Sequence, residues 1–272
     1  MDYWPLKSVS VDYRLGVDQI AGMLAQIGAV TPNGLAGELL RLLSAQVPIA
    51  QCTIFAYEGQ GTPRIVSFAD RARTMQLPEI NRSYAAMFYR LDGNRDAMAS
   101  EDGKCPSSRI LVHRQSGDDI AHPDYRRICY DQPQISERLA LLNLFDGWRW
   151  LSVNFYRGRE HGRFNPREIE CIEALAPLVM QMVRLHYNVH LSVNELPEMV
   201  VLRLCRAYPE LTKRDGELLK CVLTGITVEE TAERMGIKLS SAQTYVKRLY
   251  RKLGVSGQRE LVGLALKLAP AH

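Results

Sequence analysis

The stretch Gly225-Ile226-Thr227-Val228-Glu229-Glu230-Thr231-Ala232-Glu233-Arg234-Met235-Gly236-Ile237-Lys238, followed by LSSAQTYVKRLYRKLG from Leu239 to Gly254, decides how this 272-residue chain is read. Thr227 is an N-cap for a short helix over 228–235, and Glu230 in its first turn suits the positive end of the helix dipole. Gly236-Ile237-Lys238 supplies a tight turn, after which Ser240 or Ser241 begins a second helix that Gly254 stops near Leu253. Two short helices joined by a glycine turn form the pattern in which the first braces the second against a DNA groove. Charge agrees with the pattern. Lys238, Lys247, Arg248, Arg251 and Lys252 are basic, and no acid lies between Lys238 and Lys252. An ordinary surface helix mixes signs to gain i,i+4 pairs, which this one forgoes. The acids Glu229, Glu230 and Glu233 sit on the bracing helix instead.

Outward from this pair, the same punctuation continues. Thr212 caps a preceding helix with Asp215 at its N3 place, an apolar face of Leu218, Leu219, Val222 and Leu223, and Gly225 at its end. A fourth helix over 258–268 carries Leu261, Leu264, Ala265 and Leu268. Residues 210–272 are therefore expected to form an all-α four-helix domain. The segments Leu211-Thr212-Lys213-Arg214-Asp215-Gly216-Glu217-Leu218-Leu219, Gly225 to Ala232, Tyr250-Arg251-Lys252-Leu253-Gly254-Val255 and Arg259-Glu260-Leu261 resemble the LuxR/FixJ family of helix-turn-helix domains. Departures fall on the reading helix: Ser241-Ala242-Gln243 replaces a Thr-Val-Lys triplet, Tyr245 a histidine and Lys238 a serine.

The resemblance implies that Gln243, Thr244 and Lys247 face the major groove. Glutamine can pair with adenine in bidentate fashion, and lysine can reach guanine or a phosphate. Lys238, Ser240, Ser241, Arg248 and Arg251 would contact phosphates and set the register. Lys252 and Arg259, taken singly, read as solvated surface groups. The fourth helix would make a dimer contact. Double-stranded promoter DNA and a second copy of the chain are the implied partners.

The net charge of +4 is unevenly placed. Twelve Lys+Arg against seven Asp+Glu lie between Arg206 and His272, leaving the rest of the chain near −1. Binding to a polyanion would gain from counterion release at the C-terminal end only. Six scattered cysteines, without C-x-x-C spacing, read as buried thiols in a reducing compartment rather than metal ligands or disulfides. No metal and no cofactor is expected. No apolar run approaches the ~18 residues of a membrane helix, and Met1-Asp2-Tyr3-Trp4-Pro5 lacks the build of a secretion signal. A cytoplasmic location follows as the expectation.

Residues 1–190 alternate between helical and strand patterns. A helix over 34–47 precedes strands over 51–57 and 64–69, joined by Glu58-Gly59-Gln60-Gly61. A helix over 78–91 precedes strands over 108–114, 136–144 and 148–157, the last two joined at Phe145-Asp146-Gly147. Asn165-Pro166 starts a long amphipathic helix to about His190, with Ile169, Ile172, Leu175, Leu178, Val179, Met182 and Leu185 on its apolar stripe. This order predicts an α+β domain, an antiparallel sheet with helices packed against it; it resembles a GAF- or PAS-like sensor fold and is broadly similar to autoinducer-binding domains. Pro197 and Pro209 punctuate a linker over 191–209.

A ligand pocket, if one is present, is expected between sheet and helices, walled by Phe55, Tyr57, Tyr84, Phe88, Trp148 and Trp150. Each of these aromatics alone fits a core position equally well. An acyl-homoserine lactone is one option for the ligand, and a sensor without ligand, acting through protein contacts, is the other reading. His113, His122 and His161 have no partner visible in the sequence, and 122–127 reads as polar and turn-like, either a lid or a surface loop. The absence of G-x-x-x-x-G-K-[ST], G-x-S-x-G and H-E-x-x-H weakens enzymatic readings.

Overall fold

The computed structural model describes residues 2–7, 15–44, 46–58, 61–72, 76–100, 109–145, 149–189 and 196–267. They divide into two compact units, residues 1–190 and 191–272. The first is α+β. Six strands, β1 (Asp2–Pro5), β2 (Gln51–Glu58), β3 (Arg64–Asp70), β4 (Ile110–Ser116), β5 (Ile135–Phe145) and β6 (Arg149–Gly158), make one antiparallel sheet in the order β1-β4-β5-β6-β2-β3. The hairpin of β2 and β3 carries a bulge between Ile54 and Phe55. The link between β5 and β6, residues 146–148, lies outside the described residues.

Helices cover both faces of this sheet. On one side α2 (Gly34–Leu43) packs on β2 and β3, α1 (Val17–Ala25) packs on α2, and α6 (Pro166–Val189) packs on β4, β5 and β6. Phe145 meets Tyr187 of α6 edge-on on this face. On the other side lie α3 (Leu77–Ser83), which runs on through a π-helical turn at Tyr84–Phe88 and a 3-10 turn to Leu91, then α4 (Gly93–Ser100), and α5 (Pro123–Arg126) with a second π-helical turn at Arg127–Asp131. Double cover explains why β5 and β6 are buried at nearly every position rather than at every second one. The start of α6 follows from its sequence. Asn165 accepts from Glu168 N at 3.0 Å, and Glu168 reaches back to Asn165 N at 2.8 Å.

Two expectations are corrected here, and three elements are added. The segment 122–127 is helical from Pro123, with the His122 ring accepting from Tyr125 N. Strand β1 and helices α1 and α4 were not foreseen. The region 191–209, expected as a linker, holds a helix, α7 (Leu196–Ala207), whose Leu204 is fully buried. Pro197 stands at its second position, where a proline costs no helical hydrogen bond.

The second unit is all-α, with α8 (Lys213–Leu223), α9 (Val228–Met235), α10 (Leu239–Leu253) and α11 (Gln258–Lys267) following α7. Its core is Leu204, Leu218, Leu219, Val222, Leu249, Leu253 and Leu261. Thr212 and Thr227 cap α8 and α9 in reciprocal boxes with Asp215 and Glu230. Gly236 closes α9 at φ +64°, a left-handed conformation that an L side chain resists. Helix α10 begins at Leu239 with Lys238 as N-cap, one residue before the serines expected to start it.

Candidate nucleic-acid interface and ligand site

The second unit presents α10 as a two-sided helix. Ala242, Leu249 and Leu253 are buried in the core. Ser240, Gln243, Thr244, Lys247, Arg248 and Arg251 are exposed, at the three- and four-residue steps of the opposite face, and Lys238 is exposed at the N-cap. Seven of the eight residues expected at DNA thus share one exposed surface. The eighth, Ser241, is half-buried. Thr244 Oγ1 donates to Ser240 O at 2.9 Å, so its hydroxyl proton is engaged within the helix while its oxygen can still accept. The Arg248 guanidinium lies over the Tyr245 ring at 5.2 Å, so the tyrosine that replaces the family's histidine steers a neighbouring cation.

Lys252 departs from its expected place in solvent. Its Nζ donates to Asp215 Oδ2 at 2.6 Å and to Glu210 O at 3.1 Å. Asp215 also accepts from Thr212 N at 2.8 Å and Thr212 Oγ1 at 2.7 Å, with Arg248 3.9 Å from its other oxygen. Burial works against its charge, but Lys252 and Thr212 outweigh it and hold the carboxyl below its ordinary range. Two further ties brace the unit. Arg214 donates to Met235 O at the end of α9, and Gln258 of α11 donates to Val222 O of α8.

In the first unit, Phe55, Tyr57, Tyr84, Phe88 and Trp150 do come together, in one buried cluster under α3 and α5. Trp148 lies outside the described residues. The rings pack on one another and on residues that were not foreseen: Phe55 lies 4.9 Å from Tyr84, and Phe88 stacks on Tyr125 at 5.3 Å. Beside Tyr84, a void of about 10 Å³ is bordered by Thr53, Asn81, Tyr125, Cys129, Tyr130 and Tyr156.

A polar network that sequence reasoning missed runs beneath these rings. Arg138 of β5 donates to both oxygens of Asp92 at 2.6 Å, and to Asn94 and Gln115. Tyr84 Oη donates to Asp92 at 2.5 Å and stands 2.9 Å from Tyr57 Oη. Burial alone would raise the Asp92 pKa, but the Arg138 charge and hydrogen bonds bring it down to about 2. With Asn94 Nδ2 committed to Asn154, Asn94 Oδ1 faces His113 Nδ1 at 2.7 Å, so the neutral ring carries its proton there. Burial, aided by Arg138, lowers the His113 pKa to about 3. His113 is thus a partnered core group. The only sequence signal was polar residues in strands with cover on both faces, which alternation rules assign to solvent.

Residues 209–265 match the family model described as bacterial regulatory proteins, luxR family. The second unit thus carries a luxR-family helix-turn-helix domain, the DNA-binding module of transcription regulators. No curated protein matches the sequence. Solved structures similar to the chain include the VqsR LBD domain from Pseudomonas aeruginosa, at 16% identity over 64% of this chain and 96% of that one, TM-score 0.46. SdiA from Escherichia coli is similar at 13% identity over 93% and 98%, TM-score 0.43. The N-acylhomoserine lactone dependent LuxR family transcription factor CepR2 from Burkholderia cenocepacia is similar at 9% identity over 64% and 95%, TM-score 0.46.

Proposed function

We propose that the protein is a sequence-specific, non-enzymatic transcription regulator that binds operator DNA through α10 as a homodimer, with its first unit serving as the control domain. The observation that carries this reading is the stripe Lys238, Ser240, Gln243, Thr244, Lys247, Arg248 and Arg251, exposed together on a helix that carries no acid. Phosphates would be met by Lys238, Ser240, Arg248 and Arg251, with Ser241 beside them, and base edges by Gln243, Thr244 and Lys247. Dimerisation through α11 is supported by Val262, a large apolar side chain that is 42% exposed on that helix. No described helix is long and apolar enough to cross a membrane.

For the first unit, control by a small molecule at the Tyr57–Tyr84 cluster is supported by buried polar atoms on the walls of the void, Asn81 Nδ2 and Tyr130 Oη among them, that have no hydrogen-bond partner among the described residues. The ligand-independent reading is favoured by a different observation. The five described aromatics expected to wall a pocket instead pack in one buried cluster, and the void beside Tyr84 has room for about one water. Mass spectrometry of protein purified under native conditions separates the two, since a stoichiometric bound molecule supports control by ligand and its absence supports the other. For DNA, a gel shift with a promoter fragment should lose both affinity and sequence preference in the double variant Gln243→Ala, Lys247→Ala. Unchanged binding and preference would sink the assigned face.

A further inference from the structure

We propose that Asp215 is a positioning residue of the DNA-binding helix: its carboxylate removes Lys252 from the cations that meet phosphate and uses it to fix how α10 is presented. The inference rests on the reading that the exposed face of α10 binds DNA. In the sequence, Lys247, Arg248, Arg251 and Lys252 are equivalent positive charges on one helix. The structure separates them. Lys247, Arg248 and Arg251 lie on the exposed stripe, while Lys252 is one step round the helix with its side chain 23% exposed. Its ammonium is held by Glu210 O, just before α8, and by Asp215 Oδ2 in the first turn of that helix.

The side chain that holds it is itself 3% exposed and already caps α8 through Thr212. Were Lys252 to leave for a phosphate, Asp215 would remain buried and short of its counter-charge, an unfavourable exchange. Lys252 therefore stays, and the ion pair ties the last turn of α10 to the first turn of α8. Apolar packing at Leu249 and Leu253 fixes the distance between the helices but is weakly directional. A charge-assisted hydrogen bond at the helix flank opposes rotation about the α10 axis. With side chains reaching about 6 Å from a helix axis, a rotation of about 20° moves their tips by about 2 Å. That displacement is enough to break a hydrogen bond to a base edge. Arg248, 3.9 Å from the other oxygen of Asp215 and over the Tyr245 ring, is aimed by the same carboxylate.

The test uses the full chain and two kinds of duplex: one of arbitrary sequence, and those that the wild-type protein selects from a randomised pool. Affinity is measured by fluorescence anisotropy across a potassium chloride titration. Arg251→Met should reduce the salt slope by about one, as the loss of a phosphate-reaching cation does. Lys252→Met should leave the slope on arbitrary duplex unchanged, yet weaken binding to the selected duplex by about tenfold, the size of a lost pairwise coupling. Asp215→Asn should weaken it as much without removing any cation, the double variant should lose no more than either single one, and Asp215→Glu should recover part of the loss. Thr212→Val, which takes the cap from α8 but leaves the ion pair, should lower thermal stability and keep sequence preference. A salt slope that falls by about one in Lys252→Met would overturn the proposal by making Lys252 a phosphate contact. Selected-duplex binding untouched in Lys252→Met, which keeps Asp215 and its cap, would overturn it equally by reducing Asp215 to a cap alone. Failure of the wild-type chain to bind any duplex would remove the DNA reading itself, and this inference with it.

Discussion

The two units each contain a carboxylate held by a cation at 2.6 Å, and the two pairs do different things. In the first unit, Arg138 and Asp92 are 1% and 0% exposed, at the centre of a network that also holds Tyr84, Asn94, Gln115 and His113. In the second, Lys252 and Asp215 are 23% and 3% exposed, at the edge of an apolar core. The first pair is part of the core, and removing one partner strands the other where water does not reach. The second sits outside a core that would pack without it, so its effect falls on the placement of α10. A similar contact thus specifies an interior in one unit and an outward face in the other.

The largest effect that distinguishes them is that of acid. Trp4, Trp148 and Trp150 are the only tryptophans in the chain, so their fluorescence follows the first unit, while far-ultraviolet circular dichroism follows the helices of both. His113, at about 3 when folded against about 6.5 when free, leaves the unfolded chain to bind the proton first. Its contribution is complete above pH about 6.5 and is lost progressively as pH falls toward 3. Asp92, at about 2, adds a further loss below about pH 4. The tryptophan-detected melting temperature should therefore fall continuously from pH 6.5 downward, and His113→Gln should flatten the early part. The second unit should hold until pH is below about 4, where the lowered Asp215 begins to take up its proton in the unfolded chain. A tryptophan transition that stays level to pH 4 would remove the contrast.

Next in size, Arg138→Met should cost the first unit about 3–5 kcal/mol in urea denaturation followed by tryptophan, because Asp92 is left buried and unpaired. The counterpart in the second unit is a cavity. Leu249→Ala, at a fully buried position of α10, should cost about 2–4 kcal/mol in the helical signal and leave the tryptophan transition in place. If both probes move together in either variant, the units unfold as one and the comparison has to be redrawn at the level of the whole chain. The smallest effect is at the turn: Gly236→Ala, at φ +64° with open space where a Cβ would stand, should cost about 1 kcal/mol through backbone strain alone.

How much of this was legible in the sequence follows the same division. The second unit is built from local devices, the caps at Thr212 and Thr227 and the glycines at 236 and 254, each of which acts within four residues and can be read there. Its exposed stripe follows from helical periodicity. Lys252 escaped because its partner Asp215 is 37 residues away. In the first unit the β2–β3 hairpin and the Asn165 cap are local and were read correctly. The Arg138 network was not, since its members at 84, 92, 94, 113, 115 and 138 meet only when the sheet forms. Strand β1 escaped because Asp2-Tyr3-Trp4-Pro5 has no alternation of its own and takes its conformation from β4.

The order of strands in the sheet bears on how the chain is made. β1 precedes the other described strands in sequence, yet its partner residues are 111–114, and β2 pairs with β6 at 149–156. Two of the sheet's five seams, β1–β4 and β6–β2, therefore join segments about a hundred residues apart, while its middle seam is the local β5–β6 pair. Fragments that stop short of residue 149 lose the seam joining the β2–β3 hairpin to the rest. Shortened from its C-terminal side, the first unit loses first α6 and then β6, the strand that ties this hairpin to the rest of the sheet.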